Sequence, residues 1–418
     1  MIRILHTADW HLGQTLNGWP REDEHRAALA ALTAIAEAQA VDAVIIAGDV
    51  FDGMNPSADS MRLLYDTLVA LRRVRPHLTT IMVAGNHDAA GRIEAPQPLF
   101  AALGVHAVGI IHRRDGAIDL DRHLVPVRDA AGRTGAHVLA IPYPRAADLP
   151  GLGESWQQAE PAAGSPVVRA VRRLHDEMIG AARAAIGPAP LVVTGHLNVI
   201  GGEADDDSRS AERRILIGGE HAVPHDLYPA DLAYVALGHL HKPHAAGRAN
   251  VRYAGSLFPL SVTERGYRHG VSLVTLGAGP AEITPVPLPR PVAHLRVPEK
   301  GALAPAAAEA ALAAVAAAEG TPRSLWPFVQ AVVAADGPVS GIKADLERAA
   351  EPLCLRLVDV SFVRSAAAAD AGAAPPPPVR LAECDPADLF ARAFEATHGV
   401  APGEAHLAAF HHILQRED

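Results

Sequence analysis

The chain has 418 residues, of which 49% are apolar and 20% charged, and this composition excludes a disordered protein. Its length favours two or three domains over a single core. The formal net charge of -10 excludes a protein that coats nucleic acid by bulk charge, so any contact with DNA must depend on a local patch, a metal or a partner.

The first ninety residues alternate short apolar strands with longer helices. Strands are predicted at Ile2–Leu5, Ala43–Ala47 and Thr80–Ala84, and helices at Glu22–Ala40 and Ala58–Val74. Ser57 is the expected N-cap of the second helix. This β-α-β-α-β order predicts an α/β fold with buried strands, whose ligand-carrying loops gather at the carboxyl ends of the strands.

The middle of the chain continues the same alternation. Further strands are predicted at Val138–Ile141, Leu191–Thr194, Ala233–Leu237, Val251–Ala254 and Val271–Thr275, with a helix at Val167–Ala185. Five prolines between Pro285 and Pro298 break this pattern and indicate a domain boundary. We therefore expect a first domain over 1–285.

Three smaller pieces are expected after the boundary. Residues 290–365 predict a small α+β domain, and residues 366–378, which end in four prolines, predict a linker. Residues 379–418 predict two short amphipathic helices. The apolar side chains of these helices would suit a groove in a partner, and the alternative is packing back onto the first domain.

The sequence also bears on the cellular compartment. Its two cysteines, Cys354 and Cys384, exclude a disulfide framework. The N-terminal residues lack the apolar core of a signal peptide, and no charge-free apolar stretch is long enough to span a membrane. We expect a cytoplasmic protein without a membrane contact.

Five short motifs follow predicted strands and carry the chemistry. They are Asp9-Trp10-His11, Gly48-Asp49-Val50-Phe51-Asp52, Gly85-Asn86-His87-Asp88, Gly195-His196 and Gly238-His239-Leu240-His241. One isolated histidine is more often a core residue than a ligand, but five such motifs in this order predict a metal site. Mixed oxygen and nitrogen ligands suit Mn²⁺, Fe or Zn²⁺ better than Ca²⁺. Asp49 is the natural bridge, because a carboxylate has two oxygens for two ions.

The order of these motifs resembles that of the calcineurin-like metallophosphoesterases. The longer phrases ILHTADWHLGQ, AGDVFDGMNPS, VAGNHD, ALGHLHKP and YAGSLFPLSVTE resemble the SbcD branch, the nuclease subunits of bacterial SbcCD exonucleases. The resemblance is dense over residues 1–270 and holds only in outline beyond them. It implies a layered sheet sandwich with helices outside, followed by a capping domain and C-terminal helices that bind the SbcC ATPase.

The resemblance also implies roles for individual residues. Two Mn²⁺ ions would share Asp49, and the full set of implied ligands is Asp9, His11, Asp49 and His241 for one ion and Asp49, Asn86, His196 and His239 for the other. His87 would donate a proton to the leaving 3′-oxygen, and the carboxylate of Asp52 would hold its ring. Gly53-Met54 stands where phosphatases of this superfamily carry Arg-Gly, which favours a diester over a monoester substrate.

The implied activity is manganese-dependent DNA hydrolysis, as a 3′→5′ exonuclease and as an endonuclease on single strands and hairpins. The implied partners are DNA, a second copy of the chain, and SbcC in a heterotetramer for DNA end processing and repair. Arginines at 209, 213, 214, 265 and 268 are candidate DNA contacts, and a plain surface role is the alternative. Two rival functions remain, a small-molecule phosphodiesterase or phosphatase and a catalytically inactive scaffold protein.

Overall fold

The computed structural model describes residues 1–149, 165–200, 222–335, 339–363, 385–398 and 401–414. The chain divides into two compact units, Met1–Leu295 with Glu319–Phe328, and Arg296–Ala318 with Val329–Asp418. None of the described helices is both long and apolar enough to cross a membrane.

Two six-stranded sheets form the first unit. Their strands, in chain order, are β1 Ile2–Thr7, β2 Ala43–Ala47, β3 Thr79–Val83, β4 Val105–Val108, β5 Leu124–Arg128, β6 Thr134–Ala140, β7 Leu191–His196, β8 Tyr234–Gly238, β9 His244–Ala245, β10 Val251–Tyr253, β11 Gly270–Leu276 and β12 Glu282–Pro287. The first sheet has the order β12-β11-β1-β2-β3-β4 and the second has the order β9-β10-β8-β7-β6-β5. Strands β1 to β4 are parallel, and so are β6, β7, β8 and β10.

Helices cover the outer faces of the two sheets. Those of the first unit are α1 Glu22–Ala38, α2 Ala58–Val74, α3 Ala90–Glu94, α4 Gln97–Ala102, α5 Leu120–His123 and α6 Pro166–Ile186. Strand β2 shows why its sheet is buried on both faces. Val44 and Ile46 pack toward α1 and α2, whereas Ile45 joins the core between the two sheets. The result is the layered α/β sandwich expected from the sequence.

Short ribbons and turns connect these layers. Two-stranded ribbons pair Thr15–Leu16 with Trp19–Pro20, Arg113–Arg114 with Ala117–Ile118, and Val199–Ile200 with Val223–Pro224. Short 3₁₀ helices span Ala146–Asp148, His225–Leu227, Val262–Gly266 and Arg323–Leu325.

The second unit is smaller. A three-stranded sheet joins β13 His294–Val297, β14 Phe328–Ala334 and β15 Arg356–Val363 in that order. The remaining described helices are α7 Pro305–Val315, α8 Ser340–Ala350, α9 Pro386–His398 and α10 Glu404–Leu414. The expected linker at 366–378 lies outside the described residues.

The element predictions are confirmed where the apolar pattern is strong. Strand β2 and helix α2 have the predicted bounds, and the Ser57 side chain accepts the predicted cap bond from the Ser60 amide at 3.1 Å. The proline-rich stretch contains a strand that the sequence analysis did not predict. Pro285 and Pro287 lie in β12, which is an edge strand, and an edge strand tolerates residues without an N–H donor.

Candidate metal centre

The five motifs meet at one edge of the sandwich. Asp9, Asp49 and Asn86 follow β1, β2 and β3 of the first sheet, while His196 ends β7 and His239 follows β8 of the second. An open cleft of about 200 Å³ lies there, lined by His11, Gln14, Asp49, Asp52, Asn86, His87, His239, His241, Leu260, Ser261 and Glu264. Asp9 and His196 are fully buried. The strand topology thus brings together residues as distant in sequence as Asp9 and His239, which are 230 positions apart.

Asp49 stands between two sets of side chains. Its Oδ2 atom is 3.5 Å from His11 Nε2 and 3.3 Å from His196 Nε2. Burial alone would raise the pKa of Asp49, but the facing His196 and His11 outweigh it and hold the pKa well below its usual range. The side chain is therefore an anionic carboxylate with ring nitrogens on both sides.

Ligand atoms form two overlapping groups around this carboxylate. Those of Asp9, His11 and His241 all lie within 4.8 Å of one another, and so do those of Asp9, Asp49 and His196. Asn86 and His239 are the other two predicted ligands. The Oδ1 atom of Asn86 is 2.9 Å from His196 Nε2 and 3.2 Å from His239 Nδ1. All seven predicted ligands are thus near neighbours.

Two buried atoms of the centre lack a hydrogen bond within the described part of the chain. Among the described residues, neither Asp9 Oδ2 nor His11 Nε2 makes a hydrogen bond, although both atoms are shielded from solvent. Burial raises the pKa of Asp9 and outweighs the opposing effect of the neighbouring His196 and His241. A divalent cation would satisfy both atoms, and the carboxylate and imidazole donors suit such an ion. The residues present fit a metal centre.

The backbone at the centre is unusual. Asp9, His11, Asp49 and His239 have φ angles of 51°, 47°, 48° and 104°, a region that residues with a Cβ rarely adopt. Such strain persists only where the surroundings enforce it, and it concentrates at functional sites. Gly85 permits one close approach, because a Cβ there would lie 2.1 Å from Asp49 Oδ1.

The neighbouring histidines differ in protonation. Burial lowers the pKa of His239 to about 3, so this ring is neutral and can offer a lone pair. Burial also acts against a charge on His196, but the carboxylates of Asp49 and Asp9 raise its pKa to about 9. The two carboxylates thus favour the protonated form of the His196 ring.

His87 and Asp52 line the same cleft and lie beside each other. The carboxylate of Asp52 and the ring nitrogens of His87 and His11 lie within 4.8 Å of one another. In addition, His87 Nδ1 lies 2.8 Å from the main-chain carbonyl oxygen of Asp52, and the Asp52 carboxylate lies 3.2 Å from His11 Nδ1. The main-chain contact could not be predicted from the motif, because every residue has a carbonyl group.

Two acidic residues were missed as parts of the site. Buried Glu264 accepts from the Leu260 amide at 2.8 Å, and its Oε1 lies 3.1 Å from His241 Nδ1. Buried Asp88 accepts from the amides of Gly85, Val50 and Phe51 and so joins two motif loops. Burial, and then the charge of Asp49, raises the pKa of Asp88 to about 6.

The candidate DNA-contacting arginines are only partly placed. Positions 209, 213 and 214 lie outside the described residues. Arg265 is half-buried and Arg268 is exposed, and both follow the cleft-lining Glu264 in sequence. Trp10 is fully buried and donates its ring N–H to Thr7, so it belongs to the core.

Comparisons with known proteins agree with this geometry. The model of the calcineurin-like phosphoesterases matches residues 2–243. A relative from Rhodobacter capsulatus, named as the SbcD component of the nuclease SbcCD, is 49% identical and covers 94% of either chain. The chain belongs to the SbcD family of calcineurin-like phosphoesterases. Its Bacillus subtilis relative of the same name is 36% identical, over 66% of this chain and 67% of that one.

Family membership confirms the expected fold class and the resemblance to the SbcD family. The fold of this family implies a divalent metal site. Among solved structures, a dimetal phosphatase of Danio rerio is 12% identical with a TM-score of 0.38, covering 68% of this chain and 95% of that chain. Because that score is low, the family assignment rests on the sequence relatives.

Proposed function

We propose that the chain is a manganese-dependent DNA nuclease that hydrolyses phosphodiesters with two metal ions. It would act as a 3′→5′ exonuclease and as an endonuclease on single strands and hairpins, with the SbcC ATPase as its partner in DNA end processing and repair. One observation carries the proposal: the Asp49 carboxylate lies between two sets of ligand atoms, in a chain whose relatives are named as the SbcD component of the nuclease SbcCD.

The two ions would share Asp49. The first would be held by Asp9, His11, Asp49 and His241, and the second by Asp49, Asn86, His196 and His239. Divalent ions in such a site neutralise charge on a phosphodiester and increase the acidity of water. Glu264 supports the first set by holding His241 through Nδ1.

His87 is the proposed proton donor. Its Nδ1 faces the carbonyl oxygen of Asp52, which can only accept a hydrogen bond. This nitrogen therefore carries a proton, and the hydrogen bond that it donates holds the ring. The main-chain N–H of His87 donates to Asp49 Oδ1 at 2.9 Å, which fixes the residue beside the proposed bridge. The other ring nitrogen, Nε2, would deliver a proton to the leaving 3′-oxygen.

Asp52 is proposed to position both histidines. Its carbonyl oxygen orients His87, and its carboxylate lies beside His11 Nδ1, so that His11 Nε2 faces Asp49. This arrangement supports a role in catalysis through orientation. The residues that follow, Gly53 and Met54, carry no positive charge to grip a terminal phosphate, which favours a diester substrate.

Release of nucleotides from linear DNA tests the proposal. We expect hydrolysis to require Mn²⁺ and to fall about 10²- to 10⁴-fold in His87→Ala, because general acid catalysis contributes about that much. The exposed His77 offers a matched control, and His77→Ala should retain full activity. Bound Mn²⁺ should be unchanged in both variants.

Other results would contradict the proposal. Turnover of a chromogenic phosphomonoester without DNA cleavage would favour the small-molecule phosphatase. Failure of the purified protein to bind Mn²⁺, with no hydrolysis of any phosphoester, would favour the inactive scaffold.

The rest of the chain is proposed to serve partners. Residues 1–285 would form the nuclease domain, 290–365 a capping domain, 366–378 a linker and 379–418 the SbcC-binding segment. In that segment α9 and α10 pack through Phe390 and Phe410, whose rings stack at 4.4 Å, yet both side chains stay partly exposed. Half-exposed apolar side chains support a docking role. We further propose a homodimer, a heterotetramer with SbcC, and a cytoplasmic location.

A further inference from the structure

A short ribbon carries an aromatic side chain away from the cleft. Gln14 lines the cleft, and the ribbon that pairs Thr15–Leu16 with Trp19–Pro20 follows it directly. Leu16 lies opposite Trp19 and two residues after Gln14. Two residues span at most about 7 Å and a cross-strand pair about 5 Å, so the Cα of Trp19 lies within about 12 Å of that of Gln14.

An arginine lies over this tryptophan. The Arg323 guanidinium carbon is 4.6 Å from the centre of the Trp19 ring and 5.8 Å from that of Trp326. Trp326 is itself anchored, since its ring N–H donates to the Thr321 carbonyl at 2.9 Å. All these residues belong to the first compact unit. We call the three side chains the Trp19–Arg323–Trp326 stack.

The stack is partly exposed to solvent and carries the positive charge of Arg323. Arg323 is exposed, and within the described part of the chain it forms no ion pair with a carboxylate. Trp19 and Trp326 are half-buried, and the neighbouring Leu325 is 45% exposed. In a chain of net charge -10, an exposed guanidinium beside two half-buried indoles creates a local site for an anion that also has a flat ring.

We propose that the Trp19–Arg323–Trp326 stack binds an unpaired nucleotide of the DNA strand that enters the cleft. The base stacks on the indole of Trp19, and the neighbouring phosphate lies at Arg323. Only an unpaired base offers its face, so the stack selects single-stranded or frayed ends over fully paired duplex. This inference rests on the proposed nuclease function and adds to it the part of the substrate that is recognised.

Binding of a short thymidine oligonucleotide to the metal-free full-length protein, followed by fluorescence anisotropy, tests the stack. We expect Trp19→Ala to weaken binding about tenfold, in line with the loss of one stacked base, and Trp19→Phe to retain most of the affinity. For Arg323→Ala, a plot of the logarithm of the binding constant against the logarithm of the salt concentration should be less steep by about 0.7, because one contact with a single-strand phosphate is lost. Arg62→Ala, at an exposed arginine of α2, is the charge control and should change nothing.

Two comparisons separate this inference from the nuclease function itself. Each variant should bind a blunt duplex as the wild type does and should hydrolyse a small chromogenic phosphodiester with Mn²⁺ at the wild-type rate. If Trp19→Ala and Arg323→Ala both bind the oligonucleotide with wild-type affinity, the proposed nucleotide site is wrong, but the proposed nuclease function is unaffected. Equal losses on single strand and blunt duplex would also overturn the proposed nucleotide site. A wild-type protein that hydrolyses the small diester but neither binds nor cleaves DNA would overturn the nuclease proposal as well.

Discussion

At the scale of single residues, the candidate centre depends on backbone positions that tolerate no ordinary side chain. Asp49 follows Gly48, which has a φ of 90°, and packs against Gly85. A Cβ at Gly85 would collide with the Asp49 carboxylate and one at Gly48 with the His196 ring, so only glycine leaves room for these side chains. The glycines of the motifs therefore matter for ligand placement as much as the ligands themselves.

Gly85→Ala tests this dependence. The new Cβ would lie 2.1 Å from Asp49 Oδ1 and 2.3 Å from the Asp49 main-chain nitrogen, so the proposed bridge must move. We expect bound Mn²⁺ and DNA hydrolysis to fall together. Gly53→Ala is the matched control in a neighbouring loop, because nothing lies within 4 Å of its Cβ and its φ is not positive. Calorimetric titration with Mn²⁺ measures the effect, and equal affinity in both variants would refute the argument.

Single residues also mark the limit of what could be predicted from the sequence. The predicted ligands were recognisable because each stands in a short motif directly after a strand. Glu264 could not be recognised in this way, because its contact with His241 joins residues 23 positions apart. That contact depends on how the 3₁₀ helix at Val262–Gly266 is placed. The Asp52–His87 contact was also hidden, since it uses a carbonyl group that every residue has.

At the scale of elements, the loop before α1 is held by a buried ion pair. Arg21 and Glu24 join through two hydrogen bonds of 2.8 Å, and Arg21 lies over the Phe258 ring at 4.5 Å. Burial acts to raise the pKa of Glu24, but the hydrogen bonds and charges of Arg21 and His294 together outweigh it and lower the pKa to about 2. Arg21 also donates to the cleft-lining Gln14, so this pair supports the edge of the cleft.

The effect of Glu24→Gln on the free energy of unfolding should depend on pH because of this lowered pKa. The unfolded pKa of a glutamate is about 4.3, so the pair stabilises the fold fully above that pH and loses its effect as the pH falls toward 2. We expect Glu24→Gln to lower the free energy of unfolding by about 3 kcal/mol at neutral pH, with the difference shrinking in acid. Urea unfolding at several pH values measures it.

Glu22→Gln is the control for that experiment. Glu22 is exposed and pairs with Arg26 one turn along α1, so its loss should cost less than about 1 kcal/mol. A Glu24→Gln effect that stays constant from neutral to acid pH would contradict the role of the charge.

Elements differed in how well the sequence predicted them. The apolar run of β2 and the capped, amphipathic α2 carry strong local signals, and their bounds were correct. Strand β12 carries prolines that argue against a strand unless its place at the sheet edge is known, and that place is set by pairing with β11. Long-range pairing was therefore the missing information.

At the scale of the whole molecule, the sandwich has one functional edge because parallel strands of both sheets end there. The C-terminal helices serve a different purpose in our account, since their packed Phe390 and Phe410 remain half-exposed. Catalysis and partner binding are thus expected to be separable by truncation.

Removal of residues 379–418 tests that separation. We expect the truncated protein to keep its manganese-dependent nuclease activity and to lose association with SbcC, measured by co-purification and by calorimetric titration. Phe390→Asp in the full-length chain should weaken the association without truncation, because it places a charge on the half-exposed apolar face. A complex that assembles with unchanged affinity would contradict the assignment of this segment.

The central claim is that the Asp49 carboxylate joins two divalent ions. Anomalous diffraction from crystals soaked in Mn²⁺, recorded at the manganese edge, tests it most directly. Our account predicts two peaks that share Asp49, one beside Asp9, His11 and His241 and the other beside Asn86, His196 and His239. A single peak, or two peaks of which only one contacts Asp49, would contradict it.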